Sequence, residues 1–117
     1  TGPYVLYQAV RIKSLLRKAA DKGGGAPLID DGSRALALCL TEFPDVFAAA
    51  LANYTPHVLC EYVFRLAQAF SGFYNNCHIL SETDAARRAG LLALCRMTLG
   101  TLETALALLG IEAPERM

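Results

Sequence analysis

One predicted helix carries tyrosines and cations on the same face. Residues 4–18 of this helix read YVLYQAVRIKSLLRK. A rotation of about 100° per residue brings five of its side chains within an arc of roughly 80°. They are Tyr4, Tyr7, Arg11, Ser14 and Lys18. Bases stack on aromatic rings and phosphates pair with Arg and Lys, so the pattern indicates a nucleic-acid surface. Tyrosines that pack half-buried with their hydroxyls in water would give the same pattern, and the helix alone leaves both interpretations open.

Groups that could support catalysis or bind a metal are sparse. His57 follows Pro56 in a predicted first helical turn, where a solvated surface position is expected. His78 directly follows Cys77, and neighbours on a helix do not face each other as a Cys–His pair must. The cysteines lack the close pairing of zinc ligands, so we interpret them as reduced core thiols of a cytosolic protein. The sequence predicts no catalytic residue and no metal site. The cysteines are Cys39, Cys60, Cys77 and Cys95.

Charge is zero overall but unevenly distributed. Residues 1–22 hold five basic and one acidic residue, a net +4, and the remainder holds six basic and ten acidic residues, a net −4. Such a basic end on an acidic body indicates a local electrostatic footprint with few phosphate contacts. The chain of 117 residues is 54% hydrophobic and fits one domain with a large core. No uninterrupted apolar run reaches the roughly 18 residues that span a bilayer, so no membrane partner is expected.

Proline, glycine and capping residues predict an all-α bundle of about five helices, because nothing resembles a strand. Ser33 is predicted to cap the second helix and Ser81 to begin a capping box before the fifth. Pro44 and Pro56 are expected in first turns, and Gly110 at the last carboxyl end. The predicted helices cover about 2–20, 34–43, 44–54, 56–75 and 85–109. On the first of them, the side chains expected to face the core are Val5, Leu6, Ala9, Ile12, Leu16 and Ala19.

Several blocks of the chain together match one known family. They read YVLYQAVRIKSLLRKA, FPDV, LAQAF, FYNNC, HIL and LLGIEAPERM. In order and spacing they resemble the carboxy-terminal anticodon-binding domain of arginyl-tRNA synthetases, the DALR-type helical bundle of class I synthetases. The resemblance covers residues 1–117 as one domain. It implies a cytoplasmic ligase that attaches arginine to its tRNA using ATP and Mg²⁺, neither of which this part would bind. The chain begins at Thr1 without an initiator methionine, so we expect a carboxy-terminal piece of a larger protein, and the resemblance implies a catalytic domain upstream.

The resemblance also implies which residues contact the anticodon loop. Tyr4 and Tyr7 match first-helix tyrosines, and Arg11 and Arg17 match basic residues of that helix. Leu6 and Ala9 replace a glutamine and a histidine of the family pattern, a change expected to alter helix packing more than RNA contact. Two further matches are an aromatic of the helical hairpin, Tyr74 (or its neighbour Phe73), and the terminal Met117, which packs on a base. Additional candidates are Ser14, Lys18, Asn76 and Arg116.

The expected partners are therefore an arginine tRNA and the upstream catalytic domain, with no membrane and no DNA. One alternative of a different class is a helical protein-interaction module with no RNA role, which the apolar surplus and zero net charge would suit. A small redox or metal protein is a third possibility, which the spacing of the cysteines opposes.

Overall fold

Five α-helices make up the chain in the computed structural model, which describes residues 2–117. Thr1, where the predicted domain begins, lies outside the described residues. No strand occurs between residues 2 and 117, so the prediction of an all-α bundle of about five helices is confirmed. The elements are α1 (Gly2–Lys18), α2 (Arg34–Thr41), α3 (Phe43–Asn53), α4 (Pro56–Asn76), a 3-10 turn (Ile79–Ser81) and α5 (Ala85–Leu108).

Proline and glycine mark helix boundaries where the sequence predicts them. Pro44 and Pro56 lie in the first turns of α3 and α4, where a missing N–H costs no hydrogen bond. At the end of α5, Gly110 adopts a φ of 77°, a conformation that glycine reaches without a Cβ penalty. The N–H groups of Gly110 and Ile111 then donate to carbonyls one turn back, at 3.0 and 2.8 Å. This closing pattern turns the chain sharply out of α5 and starts the tail.

The predictions of side-chain caps were wrong at two helices. The hydroxyl of Ser33 donates to the carbonyl of Leu28 at 2.8 Å and accepts from the N–H of Asp30 at 2.9 Å, so it closes the preceding loop and does not cap α2. Ser81 belongs to the 3-10 turn and does not begin a capping box. The cap of α5 is Asp84, whose carboxylate accepts from two N–H groups of the first turn at 3.0 and 3.2 Å.

The core lies between α1, α4 and α5, with α2 and α3 packed on α4. Its largest fully buried side chains include Tyr62, Phe70 and Leu102. Three of the four cysteines are buried as expected, but Cys60 is exposed on the outer face of α4. All four are free thiols.

Helix α1 is rotated from its predicted orientation. Leu6 and Leu16 are only partly buried, whereas Gln8 and Leu15 are buried in addition to four of the predicted residues. The buried arc is therefore turned by about 40° towards the tyrosines at 100° per residue. A contact with α4 accounts for this, because the ring of Tyr4 packs on Phe64, 5.5 Å between centroids.

Two segments are apolar and long enough to cross a membrane by length and composition, Arg34–Asn53 and Ala85–Leu108. The first comprises two helices, α2 and α3. Half of the apolar window of the second is buried inside the bundle. Core helices pass the same test, so these segments are a weak indication of membrane crossing.

Candidate nucleic-acid interface

One cleft collects five of the side chains that the sequence predicted. It has a volume of about 290 Å³ and lies between α1, the end of α4 and the 3-10 turn. Residues three and four apart on a helix share a face, and this spacing aligns the contributors from α1. The predicted residues that line the cleft are Tyr7, Arg11, Ser14 and Lys18 of α1 and Tyr74 of α4.

The guanidinium of Arg11 lies between two aromatic rings. Its Cζ is 5.1 Å from the ring centroid of Tyr7 and 4.3 Å from that of Tyr74, both within cation–π distance. Nη1 donates to Oε1 of the buried Gln8 at 3.3 Å, and Nη2 is 3.5 Å from the hydroxyl of Tyr7. These contacts fix a flat cation before any ligand arrives. Since half of the Tyr7 surface remains exposed, a second flat ring can still reach it.

The aromatic residue of α4 in the cleft is Tyr74. Phe73 is 3% exposed and packs on Phe70 with ring centroids 5.9 Å apart, so it belongs to the core. The ring of Tyr74 is partly exposed beside Arg11. Of the two neighbours that the sequence left open, only Tyr74 can meet a ligand in this cleft.

Sequence reasoning assigned no site role to several residues at or beside the cleft, among them Val10 and Leu15 of α1, which line it. Leu80, on the 3-10 turn, forms part of its wall and is exposed. Beyond it, His78 lines an adjoining cleft of about 240 Å³ that shares Tyr74 and Leu80. Gln8 supports Arg11 from below. Leu80 and His78 come from an irregular segment with no periodicity to mark them, whereas a glutamine three residues before the arginine was a local signal.

Tyr4 and Asn76 are predicted residues that lie outside the cleft lining. Tyr4 is half-buried against Phe64, which matches the packing interpretation of the aromatic stripe for that residue. Asn76, the last residue of α4, is exposed. At about 100° per residue it lies on the side of the helix away from Tyr74.

The carboxy-terminal tail, residues 111–117, lies along the other side of α1. Lys13 Nζ donates to the carbonyls of Ala113 and Pro114 at 3.0 and 3.3 Å. Arg17 forms an ion pair with Glu115 at 3.0 Å. The structure therefore places Arg17 against the tail and not in the cleft, while Arg116 and Met117 are exposed beyond it.

No three His, Cys, Asp or Glu side chains converge as a possible metal site anywhere in residues 2–117. Burial raises the pKa of the Cys77 thiol beside His78, so a reactive Cys–His pair is not favoured there. The cleft residues thus offer stacking, hydrogen bonding and positive charge.

The family model described as DALR anticodon binding domain matches residues 5–117. The chain belongs to this family. Arginine–tRNA ligase of Maricaulis maris is 51% identical over 120 residues. That match covers 100% of this chain and 20% of the relative. The DALR domain thus spans about a fifth of the length of the curated relatives it matches.

Solved structures agree with the assignment to DALR domains. Arginyl-tRNA synthetase of Thermus thermophilus superposes with a TM-score of 0.90 at 37% identity, over all of this chain and 21% of that one. Arginyl-tRNA synthetase of Plasmodium falciparum gives a TM-score of 0.81 at 31% identity, again over 100% and 21% of the two chains. The resemblance inferred from the sequence blocks is confirmed.

Proposed function

We propose that this DALR domain binds the anticodon loop of an arginine tRNA as part of an arginine–tRNA ligase. The observation that carries the proposal is the guanidinium of Arg11 held between Tyr7 and Tyr74 in an open cleft. Membership of an anticodon-binding family and the names of the relatives support it. Neither favours the alternative of a helical protein-interaction module.

Unstacked anticodon bases present flat rings next to a charged backbone. A base stacks on the exposed face of Tyr7, and Arg11, already oriented by the two rings, donates to a phosphate or to a base edge. Lys18 at the far end of the cleft adds a second cation and Ser14 a hydroxyl donor. Because the guanidinium is prepositioned, less side-chain entropy is lost when RNA binds.

The remaining predicted contacts form a second group, outside the cleft. Arg116 and Met117 are exposed on the tail. They reach the anticodon loop from the side of α1 on which the tail lies, and Met117 packs on a base. Arg17 contacts RNA only if it leaves Glu115, and Tyr4 only through the edge that Phe64 leaves uncovered. Asn76, exposed at the end of α4 on the side away from Tyr74, would contact the loop outside the cleft.

The rest of the ligase would supply the chemistry. A catalytic domain upstream of residue 1 uses ATP and Mg²⁺ to attach arginine, in the cytoplasm, and this domain contributes the anticodon reading. We propose neither a membrane nor DNA as a partner.

Binding of an arginine anticodon stem-loop, measured by fluorescence anisotropy, tests the proposal. Tyr7→Ala should weaken binding about 5- to 150-fold, since one base stack contributes about 1–3 kcal/mol. Tyr54→Ala is the matched control, because Tyr54 is 91% exposed at the end of α3 and does not line the cleft.

A stem-loop with substituted anticodon bases completes the test. It should bind more weakly than the arginine stem-loop to the unaltered chain. Equal binding of both RNAs, or equal losses in the two tyrosine variants, would refute anticodon reading by this cleft.

A further inference from the structure

We infer that Lys13 is a positioning residue that fastens the tail to α1 and thereby presents Arg116 and Met117 to the RNA. This inference rests on the proposed anticodon binding for its purpose. The fastening itself is a property of the free protein and can be measured without RNA.

The surroundings of the Lys13 ammonium are unusual for a helix cation. Its side chain is only 10% exposed and has four oxygen neighbours. Two are the tail carbonyls of Ala113 and Pro114, at 3.0 and 3.3 Å. The others are carboxylate oxygens of Glu103 on α5, at 3.4 Å, and Glu115 on the tail, at 3.6 Å. A nearly buried ammonium requires such partners, and three of the four belong to the tail.

The hydrogen bonds of Lys13 fix the path of the tail across α1. General attraction between an acidic tail and a basic helix would not do so. A backbone carbonyl accepts only from a donor placed along its lone pairs, so two consecutive carbonyls fix how the tail crosses α1. Glu115 adds a second attachment, since it pairs with both Lys13 and Arg17. The chain therefore cannot lift away at residues 113–115 without removing three of the four oxygen partners of Lys13.

This attachment limits where the chain end can go. Met117 is two residues beyond Glu115, so their Cα atoms are at most about 7 Å apart. Glu115 is held at Arg17, next to Lys18, which borders the cleft. The exposed side chain of Met117 thus stays near the carboxyl end of α1, within reach of a loop seated in the cleft.

The first arm of the test measures tail order by ¹⁵N relaxation without RNA. In the unaltered chain, the Glu115 amide should have an order parameter of about 0.8, and in Lys13→Met it should fall below about 0.6. Lys22→Met is the control, since it removes the same charge from an exposed loop residue and should change nothing. Glu115→Gln, altered at a side chain that is 71% exposed, should loosen the tail without disturbing the core. An unchanged tail in both Lys13→Met and Glu115→Gln would overturn the inference.

The second arm measures anticodon stem-loop binding. Lys13→Met should weaken it about tenfold, the size of one lost charged hydrogen bond, whereas Lys22→Met should change it less than about twofold. In a chain that ends at Pro114, Lys13→Met should have no further effect, because Arg116 and Met117, through which Lys13 acts on the RNA, are gone. An equal loss in the shortened chain would mean that Lys13 acts on RNA or on the fold directly, and would overturn the inference. If the unaltered chain fails to distinguish anticodons, the proposed function fails, while the relaxation arm still decides whether Lys13 fastens the tail.

Discussion

Replacing Arg11 by methionine tests the cleft at its central group. Methionine keeps most of the length and apolar volume of the side chain but removes the planar cation between Tyr7 and Tyr74. The domain should still fold, with a moderate loss of stability. Two partly exposed cation–π contacts contribute about 0.5–1 kcal/mol each to the free energy of unfolding. The hydrogen bond to Gln8 contributes about 1 kcal/mol.

The effect on RNA binding should be larger and should depend on salt. A charged hydrogen bond to phosphate contributes about 1.5–3 kcal/mol, so Arg11→Met should weaken binding about 10- to 150-fold. Each phosphate contact to a single strand contributes about 0.7 to the slope of log affinity against log salt concentration, so the slope should become shallower by about that amount. Arg11→Lys should restore the slope but not the affinity, because an ammonium keeps the charge and loses the planar stacking.

Stem-loop titrations between about 0.05 and 0.2 M salt measure both quantities. Arg34→Met is the control, since it makes the same substitution at an exposed arginine of α2 outside the cleft. A weakened affinity with an unchanged salt slope would show that Arg11 only supports the tyrosines. No weakening at all would refute the role assigned to the cleft.

Two further predictions concern stability and reactivity. The hydrogen bond from Arg87 to Asp30, at 2.9 Å, lowers the pKa of that carboxyl below 3.8, against a smaller opposing effect of burial. A carboxyl group whose pKa is lowered in the folded state stabilises the fold at pH values above 3.8, and that stabilisation is lost as the pH falls through the folded-state pKa. The melting temperature of Asp30→Asn should therefore lie below that of the unaltered chain at about pH 6, and the two should converge towards about pH 2. A difference that stays constant would contradict this. Iodoacetamide should alkylate the exposed Cys60 in the native protein but not Cys95, because burial raises the pKa of Cys95 to about 12; peptide mass mapping would contradict this if Cys95 reacts before unfolding.

The helices could be predicted because their signals are local. A proline in the first turn of a helix, or a glycine after its last turn, acts within one or two residues of the helix boundary. Side-chain caps were less predictable, because a hydroxyl group at the N-cap position can form hydrogen bonds outside the helix. Ser33 bonds to the loop carbonyl of Leu28 and to the N–H of Asp30, so tertiary contacts decided its role.

The cleft was predictable in its α1 half for the same reason. Tyr7, Arg11 and Lys18 share a face by helical spacing, whatever packs around them. Leu80 could not be predicted, since its place depends on how the 3-10 turn closes over α4. The orientation of α1 was also misjudged, because Gln8 is polar yet buried, and a helical wheel assigns polar residues to the surface.

Charge counting along the sequence overstates what α1 offers to RNA. Residues 1–22 carry a net +4, but the structure pairs Lys13 with Glu103 and Glu115, and Arg17 with Glu115. Within residues 2–22, the cations without an acidic partner are three, namely Arg11, Lys18 and Lys22. Two of these line the cleft, and the two paired cations hold the tail. One helix therefore uses its positive charge in two ways, on one edge for a polyanion and on the other for its own acidic chain end. Because Glu115 is paired with Lys13 and Arg17 where the tail lies on α1, its negative charge repels a nearby RNA less than an unpaired carboxylate would.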